Sequence, residues 1–515
     1  MDKMKKNIIA IICSIFILAG CDDFLDRQPL SDMSPGTFFQ TKGDMRTWNA
    51  GIYDALQSTL HQRHLDWGDL RSDNYHTTGY ESAKVYMNAM ESTMGETSWQ
   101  GLYTTINLCN IAIQRYPSIP QVLESETNPY MGQAYGIRAL MYFYGIRVWG
   151  RVPLITEPWE GDLTQIAVPR NSIEEVKAQI LDDIDHALAA LGNDVSDKFY
   201  FNRAAAYALK TDLHMWFKEY DEALAASAYF VGNSNFSLVN NATEWKEIFT
   251  KPASSKESIF NLAWSFEADG SHGWAQRVGA NNTNNGYKMS QPIYEEFIDR
   301  LRSGHGADGR FWNNVDTVKL FYNGQRLPLT YANWTTSGIE KCIKYSVIDP
   351  DRSFDANNGV YKSYWAVLSS ENAEIQIPIY RLADVLLLRA EALNKKGNPT
   401  DALIIVNQIR KRVGYLADAS LEVNMTDQAA VEMLILQERQ LELIAEGKRW
   451  FDLVRTGLLL DVMDPVIRAR QEAAGVQVTG FTQAEEGKKY MPIYYREFES
   501  NTALKGDQNP PYSEG

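Results

Sequence analysis

Two stretches of this 515-residue chain place aromatic side chains close to carboxylates and amides. The first follows a helical pattern and supplies the candidates Trp67, Asp73, Asn74, Tyr75 and Tyr80. Aromatic rings offer flat apolar surfaces, and the neighbouring carboxylates and amides form hydrogen bonds. This combination is typical of a site for a flat, weakly polar ligand, so we predict that these five residues contact one.

The second stretch lies in the middle of the chain, from about 232 to 375, where Gly, Ser and Asn are frequent. It supplies the other predicted ligand-binding residues, Trp274, Tyr287 and Trp334. A long irregular region inside a compact protein is usually either functional or disordered, and abundant aromatic residues argue against disorder. We therefore predict structured loops that form a ligand-binding face over a helical base.

Three glutamates raise an alternative chemistry. Glu438, Glu442 and Glu446 recur every four residues, which places them on one stripe of a predicted helix. Two carboxylates about 5–10 Å apart are the catalytic groups of glycoside hydrolases, so an enzyme is one hypothesis. The favoured interpretation is an ion-pair network that holds helices together, with Arg449 and Arg455 as the partners. We predict no catalytic residue.

Metal and cofactor motifs are weak in this sequence. The seven histidines form no HExxH motif and none is paired with cysteines at zinc-site spacing. Asp349, Asp351 and Asp355 offer oxygen ligands for calcium, but the glycine and glutamate of an EF-hand loop are misplaced or missing. The prediction is no cofactor and no metal ligand, with a structural calcium ion left open.

The N-terminus resembles a targeting signal. Lys3, Lys5 and Lys6 precede an apolar run of about eleven residues, which as a helix is too short to span a bilayer. The run ends in Leu-Ala-Gly-Cys, a bacterial lipobox. We predict that residues 1–20 are a signal peptide and that Cys21 is lipidated, which tethers the protein to a membrane.

The net charge limits the possible partners of the protein, and the cysteine content limits its possible disulfides. The formal net charge is −15, which repels phosphate backbones and argues against nucleic acid as a partner. Cys109 and Cys342 are the cysteines left in the body of the protein. We predict two free buried thiols, and a disulfide between them is the alternative.

Helical periodicity dominates both ends of the chain. Segments 203–230 and 382–409 match at a constant offset, with Ala204 and Ala223 falling on Ala383 and Ala402. Each predicts a helix, a short break and a second helix, with small residues where the two helices approach. This is the pattern of a tetratricopeptide-type hairpin. A further helical pair is predicted from about 428 to 460.

Five segments of the chain have a specific pattern of residues: Trp99-x3-Tyr103-x2-Ile106-x3-Asn110, Tyr380-Arg381-Leu382-Ala383-Asp384, Asn407-x2-Arg410-x-Arg412-x-Gly414, Glu438-Arg439-x2-Glu442-x3-Glu446-Gly447-x-Arg449-x2-Asp452 and Tyr490-Met491-Pro492-Ile493. Together these segments resemble the SusD/RagB family of outer-membrane lipoproteins, over essentially the whole mature length. Tyr494 and Pro511 depart from the family pattern in the C-terminal loop, and neither departure bears on function.

The resemblance implies a mainly α fold of four tetratricopeptide-like helix pairs, with a loop-rich, short-stranded ligand face inserted. It implies one domain from 21 to 515: a helical part from about 40 to 231, a loop-rich middle to about 375, and a helical part from about 376. The implied protein is lipid-anchored in the outer membrane and exposed at the cell surface.

The resemblance also implies a function without catalysis, in which glycans are bound and delivered to a SusC-like TonB-dependent transporter. The predicted aromatic residues then stack on sugar rings, and the flanking polar groups bond hydroxyls. Capture of peptides by the same fold is the first alternative. A glycoside hydrolase and a purely structural helical scaffold are the others.

Overall fold

The computed structural model describes residues 38–76, 83–159, 167–270, 274–278, 287–315, 342–345 and 376–514, with four two-residue strands between 321 and 361. The predicted lipidation site Cys21, the ligand candidates Tyr80 and Trp334, and the calcium candidates Asp349 and Asp351 lie outside the described residues.

The described chain is mainly helical, as predicted. Its helices are α1 (Lys42–Gly68), α2 (Ala83–Tyr86), α3 (Gln100–Arg115), α4 (Glu124–Trp149), α5 (Ile173–Ala190), α6 (Arg203–Trp216), α7 (Tyr220–Ser227), α8 (Ala242–Thr250), α9 (Phe266–Asp269), α10 (Trp274–Val278), α11 (Gln291–Arg302), α12 (Arg310–Asn314), α13 (Leu382–Lys395), α14 (Pro399–Arg412), α15 (Ala419–Glu422), α16 (Gln428–Glu442), α17 (Arg449–Thr456), α18 (Leu459–Ala474) and α19 (Tyr495–Ser500). Short 3₁₀ turns lie at Gly95–Thr97, Tyr116–Ser118, Ala228–Phe230, Pro252–Ser254, Gln483–Lys489 and Thr502–Leu504.

The strands are short and antiparallel. They are β1 (Tyr75–His76), β2 (Ser258–Leu262), β3 (Lys288–Met289), β4 (Phe321–Tyr322), β5 (Gln325–Arg326), β6 (Phe354–Asp355), β7 (Val360–Tyr361) and β8 (Ile377–Arg381). β1 pairs with β3, β2 pairs with β8, and the remaining strands form a small sheet in the order β5-β4-β7-β6. Because β8 runs directly into α13, the β2–β8 pair joins the middle of the chain to the helical base.

Helices of the N-terminal half pack around α4, which is buried over most of its length. α4 packs against α3 and α5, and α3 packs against α1. α5 begins at a capping box in which Ser172 and Glu175 each accept a hydrogen bond from the other's backbone N–H, as the sequence predicts. Cys109 on α3 and Cys342 are both free and buried, which confirms the prediction of two thiols.

The two repeated segments form helical hairpins that pack on each other. α6 and α7 form the first, α13 and α14 the second, and α13 packs against α6 and α7. The Arg389 guanidinium donates to the Leu224 carbonyl at 2.9 Å and to the Ser227 hydroxyl at 3.0 Å. α16 then packs on α13 and α14. Tetratricopeptide-like pairs therefore build the base although they are separated in the sequence.

A buried ion network centred on Glu442 connects this base to the middle of the chain. Glu442 pairs with Arg310 on α12 at 2.9 Å, with Arg381 on β8 at 2.6 Å and with Arg412 on α14. It also accepts a hydrogen bond at 2.9 Å from the Trp245 indole on α8. Four elements are therefore attached to the end of α16 by one carboxylate.

The other two glutamates extend the same network. Glu438 pairs with Arg300, Arg310 and Arg410 at 3.0, 2.7 and 2.7 Å. Glu446 pairs with Arg381 and Lys344, each at 2.7 Å. All these side chains are at most 4% exposed. The prediction of a structural ion network is confirmed.

The predicted cations of this network were wrong. Arg449 pairs instead with Asp73 at 2.8 Å, and Arg455 pairs with Glu391 and, at 2.7 Å, with Asp452. The glutamates take their cations from α11, α12, β8 and α14 and from Lys344, none of which is adjacent to them in sequence. Arg449 and Arg455 were predicted because they lie close to the three glutamates in sequence. In the structure each pairs with other carboxylates.

Burial alone would raise the pKa of the Glu442 carboxyl, but Arg412, Arg381 and Arg310 outweigh it and hold the pKa well below its usual range. The same balance of burial against Arg300, Arg310 and Arg410 lowers the pKa of Glu438. Both carboxylates therefore stay ionised in the core. Removing one charge leaves buried cations without compensation, which costs more than a surface pair would.

Glu442→Gln keeps the side-chain shape and removes the charge. We expect it to lower the free energy of unfolding by about 3–5 kcal/mol, measured by denaturant titration of residues 22–515. Glu247→Gln is the matched control, because Glu247 pairs with Lys251 on the exposed face of α8, and it should cost less than about 1 kcal/mol. Equal losses in both variants would contradict a central role for the network.

Candidate ligand-binding face

The structure brings the two predicted ligand-binding stretches together. β1 from the first stretch pairs with β3 from the second, with Tyr75 opposite Met289 and His76 opposite Lys288. The rings of Tyr75 and Tyr287 meet edge to face at 6.2 Å. Residues more than 200 positions apart thus share one surface, which the sequence alone did not place in contact.

The C-terminal half of α1 forms the floor under this junction. The Gln57 amide donates to the Ala263 carbonyl at 2.6 Å, and the His61 ring lies 4.4 Å from that of Trp264. Asp66 pairs with Arg277 on α10. We call the half-exposed side chains of Gln57, His61, His76, Arg277 and Lys288 the loop face.

Three of the predicted aromatic residues are almost completely enclosed in the core. Trp67 is 1% exposed and donates to the Glu96 carbonyl at 3.1 Å. Tyr75 and Trp274 are both 0% exposed. The Trp274 indole stacks on His64 at 5.6 Å and donates to the His61 carbonyl at 2.6 Å. In this conformation none of the three rings presents a surface to a ligand, and Trp274 packs against the helix that carries His61.

The polar candidates attach the same turn to the helical base. Asp73 pairs with Arg449 at 2.8 Å and accepts from Gln440 on α16 at 2.9 Å. Asn74 donates to Asp69 at 2.6 Å and is itself buried. Tyr287 is 5% exposed. Direct ligand contact by these residues stays a prediction.

The sequence did not single out Gln57, His61 or Arg277. Gln57 and His61 are one helical turn apart on α1. Both are polar, so the sequence predicts only that they lie on a solvent-exposed face of a helix. Their proximity to Ala263 and Trp264 depends on long-range packing. One sequence signal could have identified Gln57 and His61: an amide and an imidazole spaced i, i+4 shortly before the aromatic stretch that begins at Trp67.

Close backbone contact fixes the end of α1. A Cβ on Gly68 would lie 1.9 Å from the Gly447 carbonyl oxygen, so only glycine permits this approach. Gly447 has φ +67°, and a Cβ there would meet the His64 ring. The turn that carries Glu446 therefore touches the helix that carries the loop face.

Two titratable groups lie buried under the face. His64 is hydrogen-bonded to the Glu446 carbonyl at 2.8 Å and to the Tyr144 hydroxyl at 2.7 Å. Burial lowers the pKa of His64 to about 3, so the ring is neutral, donates to the carbonyl and accepts from the hydroxyl. Burial raises the pKa of Asp69 to about 7, although hydrogen bonds from Asn74 and Tyr75 lower it in part.

No cluster of potential metal ligands occurs among the residues that the structure describes. Within the same residues, no helix is long and apolar enough to cross a membrane.

Comparison with known proteins agrees with this architecture. The family model described as "SusD family" matches residues 256–512, and that described as "Starch-binding associating with outer membrane" matches residues 23–212. "SusD-like protein P38" of Formosa agariphila is 30% identical over 536 residues, which cover 99% of this chain and 100% of the relative.

Solved structures share the fold at lower identity. NanU of B. fragilis is 22% identical with a TM-score of 0.69, covering 94% of this chain and 100% of that one. Surface glycan-binding protein A of Bacteroides thetaiotaomicron is 19% identical (TM-score 0.67; 92% and 100% covered). A laminarin-binding SusD-like protein is 20% identical (TM-score 0.66; 91% and 99% covered).

The mainly helical, tetratricopeptide-like architecture of the described chain matches the fold of solved SusD superfamily structures. With the full-length relative and the matched family models, the chain belongs to the SusD family.

Asp69→Asn tests the buried carboxyl. The folded state holds this proton more tightly than the unfolded state, whose pKa is about 4, so stability decreases as pH rises from about 4 to about 7. We expect the stability of the wild type relative to Asp69→Asn to fall across that window, by at most about 1.4 kcal/mol per pH unit.

The measurement is denaturant unfolding at a series of pH values. Asp54→Asn, exposed on the same helix, separates the loss of a negative charge from the loss of the buried group. A pH-independent difference between wild type and Asp69→Asn would contradict the assignment.

Proposed function

We propose that this chain is an outer-membrane lipoprotein, exposed at the cell surface, that binds oligosaccharides or polysaccharides. It delivers them unaltered to a SusC-like TonB-dependent transporter. The observation that carries the proposal is the junction of the two aromatic and polar stretches into one loop face on a rigid, ion-paired base.

The chemistry of the loop face suits a sugar. The His61 ring lies against the ring of Trp264, with the Gln57 amide and the Arg277 guanidinium beside them. Sugar hydroxyls are satisfied by such amide and cationic donors, while the C–H face of a ring packs on aromatic surface. Unmatched polar groups penalise a wrong sugar.

The comparisons support a glycan as the ligand class. Two of the structural neighbours are named for binding glycan or laminarin, and one matched family model is described as starch-binding. The same family description places its members at the outer membrane. Together with the lipobox, it supports anchoring through Cys21.

The absence of catalysis is supported by the state of the glutamate stripe. Each of Glu438, Glu442 and Glu446 is held by two or more cations in the core and is at most 2% exposed. A glycoside hydrolase needs two carboxyl groups that face its substrate, one of them able to donate a proton. None of these three buried carboxylates faces a substrate, and arginines hold the pKa of Glu438 and of Glu442 below its usual range.

Residues 22–515 should be retarded in native gels cast with one polysaccharide of a panel that includes starch and laminarin. His61→Ala should weaken that binding about tenfold, since it removes a ring and a hydrogen-bonding group from the loop face. His186→Ala, an exposed histidine on α5, should bind like the wild type. Retardation by peptides and by none of the glycans would favour the peptide alternative.

The retarded glycan should release no new reducing ends after prolonged incubation with the protein. An increase over the protein-free control would overturn the proposed absence of catalysis.

In cells, Cys21→Ala should prevent labelling by a palmitate analogue and shift the protein out of the outer-membrane fraction. Cys13→Ala, which leaves the lipobox intact, is the matched control.

A further inference from the structure

An irregular segment after α4 is held rigidly against α3. The Tyr103 hydroxyl donates to the Pro153 carbonyl at 2.6 Å. The Asn110 amide donates to the carbonyls of Ile155 and Glu157 at 3.0 and 3.2 Å. Side chains from one face of a helix thus fix the backbone of a segment that has no regular structure of its own.

The end of this segment presents a tryptophan to solvent. The Trp159 backbone N–H donates to the Asn107 side-chain oxygen at 2.7 Å, and the Asn107 amide donates back to the Trp159 carbonyl at 3.2 Å. Trp159 is 40% exposed, more than any other tryptophan in the described part of the chain. These two hydrogen bonds fix the backbone of Trp159, although much of its side chain is exposed to solvent.

Trp159 borders a groove of about 450 Å³. The apolar walls come from Trp99, Tyr103 and Ile155, while Gln100 and Asn501 place amides at the groove. Predominantly aromatic and apolar walls with a few polar groups are characteristic of small-molecule sites of this size.

The groove continues towards the loop face. It shares Gln100, Glu497 and Ser500 with a second cavity of about 590 Å³, which is lined by Arg63 of α1. Arg63 lies 3.6 Å from Asp66, and Asp66 also pairs with Arg277 of the loop face. The buried Asp66 carboxylate therefore connects Arg63, at the second cavity, to Arg277 of the loop face.

We propose that the Trp159 groove is a second glycan-binding subsite, which stacks a sugar ring several units away from the sugars held at the loop face. The inference rests on the proposed function and extends it. Two subsites on one chain favour long glycans over short ones, because binding at the first makes binding at the second effectively intramolecular. A rigid platform avoids the cost of ordering the segment on binding.

The test compares glycans of two lengths from each of two series, maltose with maltoheptaose and laminaribiose with laminariheptaose. Binding is measured by calorimetry on residues 22–515. For the series that binds, Trp159→Ala should raise the Kd of the heptasaccharide about tenfold and leave that of the disaccharide unchanged. Trp159→Phe, which keeps a flat ring, should give a smaller loss.

Two controls separate this role from a structural one. Tyr200→Ala removes an aromatic side chain that is 43% exposed but lies away from the groove, and it should bind both lengths like the wild type. His61→Ala should weaken the disaccharide as well as the heptasaccharide. Unchanged disaccharide binding by Trp159→Ala shows that its fold is intact.

Equal heptasaccharide affinity in wild type and Trp159→Ala would overturn the second subsite and leave the proposed function standing. Equal losses for both lengths would also overturn it, since the groove would then act only through the fold. Binding of neither series by the wild type would contradict both proposals for these glycans.

Discussion

The structure depends on how Glu442 is neutralised. A carboxylate without solvent is tolerable only when cations surround it, and Arg310, Arg381 and Arg412 come from three different elements. Glu438 and Glu446 impose the same requirement one turn on either side. The base cannot close around these charges unless α12, β8 and α14 are all in place, so the network links the packing of the loop-rich middle to that of the helical pairs.

The same network reaches the ligand-binding face. Glu446 accepts from Arg381 and Lys344 through its side chain, and its carbonyl accepts from His64 on α1. His64 in turn supports Trp274, and Arg449 holds Asp73 in the turn before β1. The loop face thus stands on buried residues that are held by ion pairs and hydrogen bonds. Such preorganisation lowers the entropy that a ligand must remove on binding.

Much of the fold was predictable because helical periodicity is local. The repeated hairpins, the capping box at Ser172 and the two free thiols all follow the sequence expectation. The candidate site was predictable only in outline. The two stretches were identified, yet Trp67, Tyr75 and Trp274 turned inward, since a large ring beside a helix end gains more from burial than from exposure.

The sequence by itself determined the class of the chain, its helical pairs and the need for a structural ion network, because these follow from residue type and spacing over a few turns. Tertiary structure alone decided which arginine meets which glutamate and which aromatic rings are accessible. It also decided that Arg277 lies beside His61 and that Trp159 borders a groove along α3. Pairings between residues on different elements depend on how whole elements pack, and a pattern that spans a few helical turns does not determine them.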